Sequence, residues 1–277
     1  MKIRYLGTGG CEGVPAFFCK CSVCENARKV KGKEIRSRLS VLINDDLMID
    51  FCPDTFLHTL SVDFDLSAIK YLLITHTHSD HYYPEDLTMR YGAAAINPTE
   101  KVLHVYGNKQ VEERFQSAAP LEEVCLSTPM HALKPMQPIE AGDYVITAFR
   151  SDHMVDEESY IYLIEQNGIC YLHATDSAEL TSDALQYLKE KKIRLAVVSF
   201  DCTFGTRKEE WGGHMNLWQN IKMKKVLEEN GNIIDRTKVL ATHISHFSGD
   251  TYENLKEIAQ QNGILVSYDG LEIVGDL

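Results

Sequence analysis

Short apolar runs separated by polar breaks dominate the chain, and their β-branched and aromatic content reads as strand rather than helix. The pattern predicts strands at Ile3 to Leu6, Ser40 to Ile43, Leu47 to Asp50, Tyr71 to Thr75, Val102 to Tyr106, Val145 to Phe149, Tyr160 to Glu165, Ile169 to His173, Leu195 to Phe200, Val239 to Thr242 and Leu265 to Tyr268. Between two of them, Asn167-Gly168 predicts a two-residue hairpin, because both positions tolerate positive φ. Helices are few: Thr181 to Lys191, Asn216 to Glu229 and Thr251 to Gln261, with Ser182, Asn216 and Asp250 as N-caps and Gly231 and Gly263 as stops. No repeat or linker interrupts this order, and 277 residues suffice for one large core, so residues 1–277 read as a single domain. Pro120 to Pro138, with four prolines and little periodicity, reads as a surface excursion.

The strand ends carry the chemistry. Tyr71-Leu72-Leu73-Ile74 leads into Thr75-His76-Thr77-His78-Ser79-Asp80-His81, three histidines and an aspartate in seven positions. Phe149 leads to Ser151-Asp152-His153, the strand ending near His173 leads to Asp176, and Thr242 leads to His243. If these ends share one edge of the fold, their ligands converge on one pocket. Buried without partners, such groups cost on the order of 2 kcal/mol or more each, so the pattern calls for something bound. His76 and His78 alternate and face one side of an extended segment, while Asp80 and His81 turn towards a neighbouring point. One zinc needs only three or four ligands. Five histidines and two carboxylates are enough for two metals, with Asp176 bridging them.

The composition, 44% hydrophobic and 25% charged, is that of an ordinary globular protein, and no run approaches the roughly 18 apolar residues of a membrane helix. Gly7-Thr8-Gly9-Gly10 follows Lys2 and Arg4 where a signal peptide would be apolar, which predicts a cytoplasmic protein without membrane attachment. The net charge of -12 argues against nucleic acid as a partner. Of the 8 cysteines, Cys19, Cys21 and Cys24 fall within six positions, and in a reducing compartment that cluster reads as a structural zinc site. It is one ligand short. His246, three residues after His243, is the best fourth, and the zinc would staple a loop at about residues 11–28 to the pocket floor. The glycines at 7, 9, 10 and 13 fit neither G-x-G-x-x-G, because position 12 is Glu, nor a P-loop; they predict a turn whose backbone approaches the metal pocket. His214, beside two glycines and a helix start, is placed to meet a phosphate. His58, His104, His131 and His173 lack such context and read as structural.

The segment His76-Thr77-His78-Ser79-Asp80-His81 resembles the H-x-H-x-D-H signature of the metallo-β-lactamase superfamily, and the resemblance covers nearly the whole chain. It implies an α/β (α+β) fold, an αββα sandwich of two mixed sheets packed face to face with helices outside. It further implies that Asp50 braces the histidine loop, that His76, His78, His153 and Asp176 hold one metal, and that Asp80, His81, His243 and the shared Asp176 hold another. Gly7-Thr8-Gly9 together with Cys19, Cys21, Cys24 and His246 is similar to the phosphoribosyl 1,2-cyclic phosphate phosphodiesterase-like branch, in which a histidine at the place of His214 assists catalysis. The expected activity is a dinuclear metal-dependent hydrolase, most simply a phosphodiesterase in which a metal-bridging hydroxide attacks a small cyclic phosphate ester. His214 would stabilise charge or protonate the leaving alkoxide, and Asp80, chiefly a ligand, would also handle a proton. The active-site donors suit zinc, manganese and iron alike, and the third ion is a structural zinc. A homodimer is allowed and not required. The alternatives on this fold are a tRNA 3′-processing nuclease, a carbonyl hydrolase (lactonase or thioesterase) and a non-enzymatic accessory protein of cofactor biosynthesis. The acidic charge counts against the first and the complete ligand set against the last.

Overall fold

The computed structural model describes residues 1–119, 122–209 and 212–276. Its first sheet comprises β1 (Lys2–Gly7), β2 (Ser40–Ile43), β3 (Leu47–Ile49), β4 (Tyr71–Leu73), β5 (His104–Gly107), β6 (Met130–Ala132) and β14 (Leu271–Val274), in the order β14-β1-β2-β3-β4-β5-β6. The second comprises β7 (Ile139–Ala141), β8 (Tyr144–Ser151), β9 (Ser159–Gln166), β10 (Ile169–Ala174), β11 (Leu195–Asp201), β12 (Lys238–Thr242) and β13 (Leu265–Val266), ordered β13-β12-β11-β10-β9-β8-β7. Strands β3 to β6 run parallel in one sheet and β10 to β13 in the other, so each set ends along one edge.

Both faces of each sheet are buried, which is why the sequence shows near-continuous apolar runs instead of alternation. Ile3, Tyr5, Val41, Ile43, Leu47 and Ile49 point into the layer between the sheets and meet Tyr144, Ile146, Tyr160, Tyr162, Tyr171 and Val197 there. The intervening Leu6, Leu42 and Met48 point the other way, into a layer shared with Phe51, Tyr82, Val111 and Phe115. Helices α3 (Lys109–Ala118) and α4 (Glu122–Ser127) cover that outer layer. On the far side α5 (Ser182–Glu190), α6 (Leu217–Glu229) and α7 (Tyr252–Gln261) bury Leu172, Val198 and Phe200 of the second sheet. The result is the expected αββα sandwich. Each fully buried aliphatic contributes about 1.5–3 kcal/mol, so these strands tolerate charged groups only near their ends, where partners exist.

The local signals hold in several places. Asn167 (φ 53°) and Gly168 (φ 77°) form the hairpin turn, and Gly231 and Gly263 follow α6 and α7 in left-handed conformation. Asn216 caps α6 and Gln219 completes a capping box. Two caps are displaced by one residue. Thr181, not Ser182, caps α5, and Thr251, not Asp250, caps α7. The Asp250 carboxylate is instead occupied by the N–H and hydroxyl of Thr206, at 2.7 and 2.8 Å.

The surface-excursion reading of Pro120 to Pro138 is corrected. Pro120 and Leu121 lie outside the described residues, but α4 buries Val124, and β6 pairs in parallel with β5 as the edge of the first sheet. The described prolines lie outside these elements, which leaves both intact. Sequence periodicity also passed over α1 (Ser22–Val30), α2 (Thr55–Ser61), α3, β7 and β14. Among the described residues no helix is long and apolar enough to cross a membrane.

His58 on α2 is structural, as expected. It is buried, with Nε2 2.8 Å from the Ser37 hydroxyl and Nδ1 unpartnered. Burial pushes its pKa from 6.5 down to about 4, with Asp54 opposing only in part. Neutral His58 therefore contributes stability in full above about pH 6.5 and loses it as the pH falls towards 4. At about 1.36 kcal/mol per pKa unit the loss is about 3 kcal/mol. In urea denaturation, the stability advantage of wild type over His58→Gln should shrink by about that amount between about pH 7 and pH 4. A constant difference would show that His58 does not titrate with folding.

Candidate metal centre

Asp50 follows β3, the His76 to His81 run follows β4, His153 follows β8, Asp176 follows β10, Asp201 ends β11 and His243 follows β12. Asp50 (φ 61°), Asp176 (φ 44°) and His243 (φ 55°) all take left-handed backbone. For residues with a side chain this costs about 1–3 kcal/mol each. What it achieves is an abrupt exit from the strand that keeps each side chain at the shared edge instead of continuing the pleat.

Asp50 is the brace. It accepts from the Thr75 N–H at 2.8 Å, the Thr75 hydroxyl at 3.0 Å and His81 Nδ1 at 2.7 Å. That bond fixes which nitrogen of His81 faces inward: Nε2 lies 3.2 Å from Asp80 Oδ2 and directly against Asp176 Oδ2. The histidine loop is pinned from outside as well, by Glu157 accepting from the Thr77 N–H at 2.9 Å and by Arg114 donating to the Thr77 carbonyl.

Asp176 stands at the centre. Its Oδ1 lies 3.3 Å from His243 Nε2, 3.3 Å from His214 Nδ1 and 3.9 Å from His153 Nε2, and its Oδ2 lies 4.0 Å from His76 Nε2. His78 Nδ1 approaches His153 Nε2 at 3.3 Å, with His76 against both rings. Gly213 (φ 88°) lets the backbone press on His153, since a Cβ there would sit 3.1 Å from its Nδ1. Gly10 approaches His243 in the same way, as expected of the glycine loop: an added Cβ would lie 3.5 Å from that ring.

The electrostatics divide these imidazoles into two kinds. Burial pushes His76 well below its ordinary value and lowers His153. Burial also opposes the charging of His81 and His243, but Asp176 and neighbouring carboxylates outweigh it and hold both up. Asp80, although burial would raise it, is held low by His81. Nε2 of His76 is buried without any hydrogen-bond partner, and Nε2 of His243 faces only the Asp176 carboxylate, 3.3 Å away and outside hydrogen-bond geometry. Each such orphan costs about 1–3 kcal/mol unless a ligand satisfies it. One atom per residue in the sets His76/His78/His153, His76/His81/Asp176 and Asp80/His81/His243 lies within 4.8 Å of the others. Orphaned nitrogens and this nitrogen–oxygen donor set fit divalent cations.

Cys19, Cys21, Cys24 and His246 also converge, one ligand atom of each lying within 4.8 Å of the rest. His246 Nδ1 is 3.5 Å from both Cys19 Sγ and Cys21 Sγ, and its Nε2 faces Glu12 Oε1 at 3.6 Å. Desolvation raises Cys21, yet the Cys24 N–H and the neighbouring groups outweigh it, while burial pushes Cys24 up. Three sulfurs and one imidazole nitrogen brought this close fit the donor set of a tetrahedral cation site.

Residues 47–259 match the family profile of the beta-lactamase superfamily domain. The chain belongs to the metallo-β-lactamase superfamily. Over its full length it is 25% identical to an octanoyltransferase of Porphyromonas gingivalis (strain ATCC BAA-308 / W83), of which it spans 52%, about half. Among solved structures it is similar to a diphosphatase from the PhnP family, with a TM-score of 0.72, 22% identity and coverage of 99% of this chain and 97% of that one. It is also similar to zinc-bound PqqB from Methylobacterium extorquens (TM-score 0.74, 18% identity, 100% of both chains) and to the human short-form tRNase Z (TM-score 0.66, 15% identity, 100% of both chains). At these identities the likeness is one of fold.

The superfamily resemblance left one carboxylate unnoticed. Asp201, fully buried, accepts from the Thr203 and Met215 N–H groups at 3.0 Å each, and its Oδ2 lies 3.0 Å from His214 Nδ1 and 3.2 Å from His243 Nδ1. Burial would lower His214, but Asp201 and Asp176 outweigh it and hold it up at about 9. The strand-end rule applied to Leu195 to Phe200 points to this residue. His173 stands apart. Its nitrogens meet the Tyr171 and Thr175 hydroxyls at 2.9 and 2.8 Å, and burial pushes it down to about 3. His104 and His131 pair with each other at 3.0 Å on β5 and β6, outside the centre.

Asp50→Ala leaves the Thr75 N–H, its hydroxyl and His81 Nδ1 without their acceptor. Metal-free protein should lose about 3 kcal/mol or more by chemical denaturation, at about 1–3 kcal/mol per unpaired group. A change below about 1 kcal/mol would remove the bracing role.

Proposed function

We propose that this protein is a dinuclear metal-dependent phosphodiesterase acting on a small cyclic phosphate ester. The observation that carries the reading is the position of Asp176, between two sets of histidines at the floor of one open pocket of about 310 Å³. His76, His78, His153 and Asp176 would hold one cation; Asp80, His81, His243 and Asp176 would hold the other. Bound there, the pair supplies a water acidic enough to ionise near neutral pH and positive charge against the phosphate oxygens. Cys19, Cys21, Cys24 and His246 would hold a structural zinc that fastens the N-terminal loop beside the pocket.

The chain's own residues do the rest. His214 lines the pocket, and with Nδ1 engaged by Asp201 it turns its other ring nitrogen to a substrate as proton donor or phosphate partner. Asp201 is a positioning residue, holding His214 and, with Thr203, the outer nitrogen of His243. Phe204 and Phe247 give the pocket an apolar wall, and Glu12 adds negative charge. Among the described residues no lysine or arginine lines it. A substrate with a second phosphate, or a polynucleotide, would find no counter-charge beyond the cations. The net charge of -12 points the same way. The fold shared with a diphosphatase of the PhnP family is in keeping with phosphoryl chemistry.

The test compares kcat/KM for a 2′,3′-cyclic nucleoside monophosphate, the same compound bearing a 5′-phosphate, bis-p-nitrophenyl phosphate, a pre-tRNA, a lactone and an acyl thioester. The cyclic monophosphate should lead and its 5′-phosphorylated form should fall behind. A lactone, thioester or pre-tRNA in first place would overturn the phosphodiesterase reading. His214→Ala should lower kcat by about 10²–10⁴-fold on esters with poor leaving groups and far less on p-nitrophenyl esters, whose departing oxygen needs little protonation. Equal losses on both would make His214 a phosphate binder and not an acid.

A further inference from the structure

Behind the first sheet, on the side away from the second, lies a cavity of about 350 Å³ between the strand layer and residues 86–98. That volume is within the range of about 300–1,000 Å³ typical of small-molecule sites. Met48, Phe51, Ile69, Leu72 and Leu87 give it apolar walls, and Arg90 is the one cation that lines it among the described residues. It shares no lining residue with the metal-centre pocket.

Arg90 is the anomaly. Its Nε is buried with no hydrogen-bond partner, and the bond it does make is from Nη2 to the Glu100 carbonyl at 3.1 Å. No carboxylate pairs with it among the described residues, although Asp86 also lines the chamber. Burial lowers its pKa with no acidic neighbour to compensate. A half-buried guanidinium that has no carboxylate partner among the described residues, and whose Nε is left without an acceptor, is suited to an anion. Apolar walls beyond a single cation match a ligand with an anionic head and an alkyl tail. The exposed Met89 and Ile96, which also line the cavity, make its rim apolar too.

We propose that this cavity binds a medium-chain carboxylate, with the head group on Arg90 and the tail against Met48, Phe51, Ile69, Leu72 and Leu87. Guanidinium is the right head-group partner, because its forked donors match a carboxylate's two oxygens. The test is calorimetric titration of the metal-loaded full chain with decanoate, decan-1-ol and decylammonium, below the concentrations at which they form micelles. Two variants accompany it: Arg90→Met, which keeps the length and removes the charge, and Ala95→Trp, which fills the chamber. Decanoate should bind one per chain and at least tenfold more tightly than decan-1-ol, with decylammonium weaker still. Arg90→Met should bring decanoate down to the level of decan-1-ol, and Ala95→Trp should weaken both at least tenfold. Thermal melting separates a ligand site from a structural arginine. Without ligand, Arg90→Met should melt at or above the wild-type temperature, and decanoate should raise the melting point of wild type alone. The proposal is overturned by absent or non-saturable decanoate binding, by equal affinity for the alcohol, or by a preference that survives Arg90→Met, as binding at the metal centre would produce.

Discussion

One buried carboxylate, Asp176, organises the whole edge of the sandwich. It faces imidazoles from β4, β8 and β12 and from the start of α6, and neither side of that arrangement is tolerable alone. A lone carboxylate in this interior would be neutralised, and imidazole nitrogens without partners would carry the desolvation penalty seen at His76. Cations placed between them would satisfy both. Protons compete for the same places, since Asp176 holds His81 and His243 up in the absence of metal. A metal binding there has to displace those protons, so its affinity weakens as the pH is lowered.

The remainder of the fold keeps these groups from relaxing away. Parallel pairing aligns the ends of β3 and β4 in one sheet and of β10, β11 and β12 in the other. The two sheets are tied where it matters: the Tyr162 hydroxyl donates to the Ile74 carbonyl at 2.6 Å and the Tyr160 N–H to the Thr75 carbonyl at 2.9 Å, just before the first histidine. Behind the converging imidazoles stand partners for their outer nitrogens, Asp50 for His81 and Asp201 with Thr203 for His243. Orientation from behind is what makes a metal site specific and not merely rich in donors. The Cys19, Cys21, Cys24 and His246 cluster extends the same logic, because His246 lies three residues beyond His243 and Glu12 reaches from it to the pocket wall.

The legible parts of the sequence were those whose meaning is local. H-x-H-x-D-H and C-x-C-x2-C concentrate in a few residues side chains that the fold brings together, and the buried strands announce themselves as apolar runs. Asp201 was passed over although it ends an apolar strand, because no motif surrounds it and its partners, His214 and His243, lie 13 and 42 positions away. The left-handed turns at Asp50, Asp176 and His243 were equally hidden, since no glycine marks them and their geometry is imposed by tertiary packing. Helix α2 escaped because Phe56, Leu57 and Leu60 are exposed on it, so its apolar residues do not report burial. The stretch from Pro129 to Pro138 misled in the other direction: its prolines bound β6 and approach β7 without interrupting either strand.

The proposal that Asp176 bridges two cations is tested most directly by counting metal ions on protein purified without chelators, in wild type, Asp176→Ala and Cys21→Ser. Two cations at the strand ends and a zinc on the cysteines make about three per chain in wild type. Asp176→Ala should keep the cysteine-bound zinc and lose both others, and Cys21→Ser should lose the zinc alone. Asp176→Ala retaining the full wild-type complement would contradict the bridge.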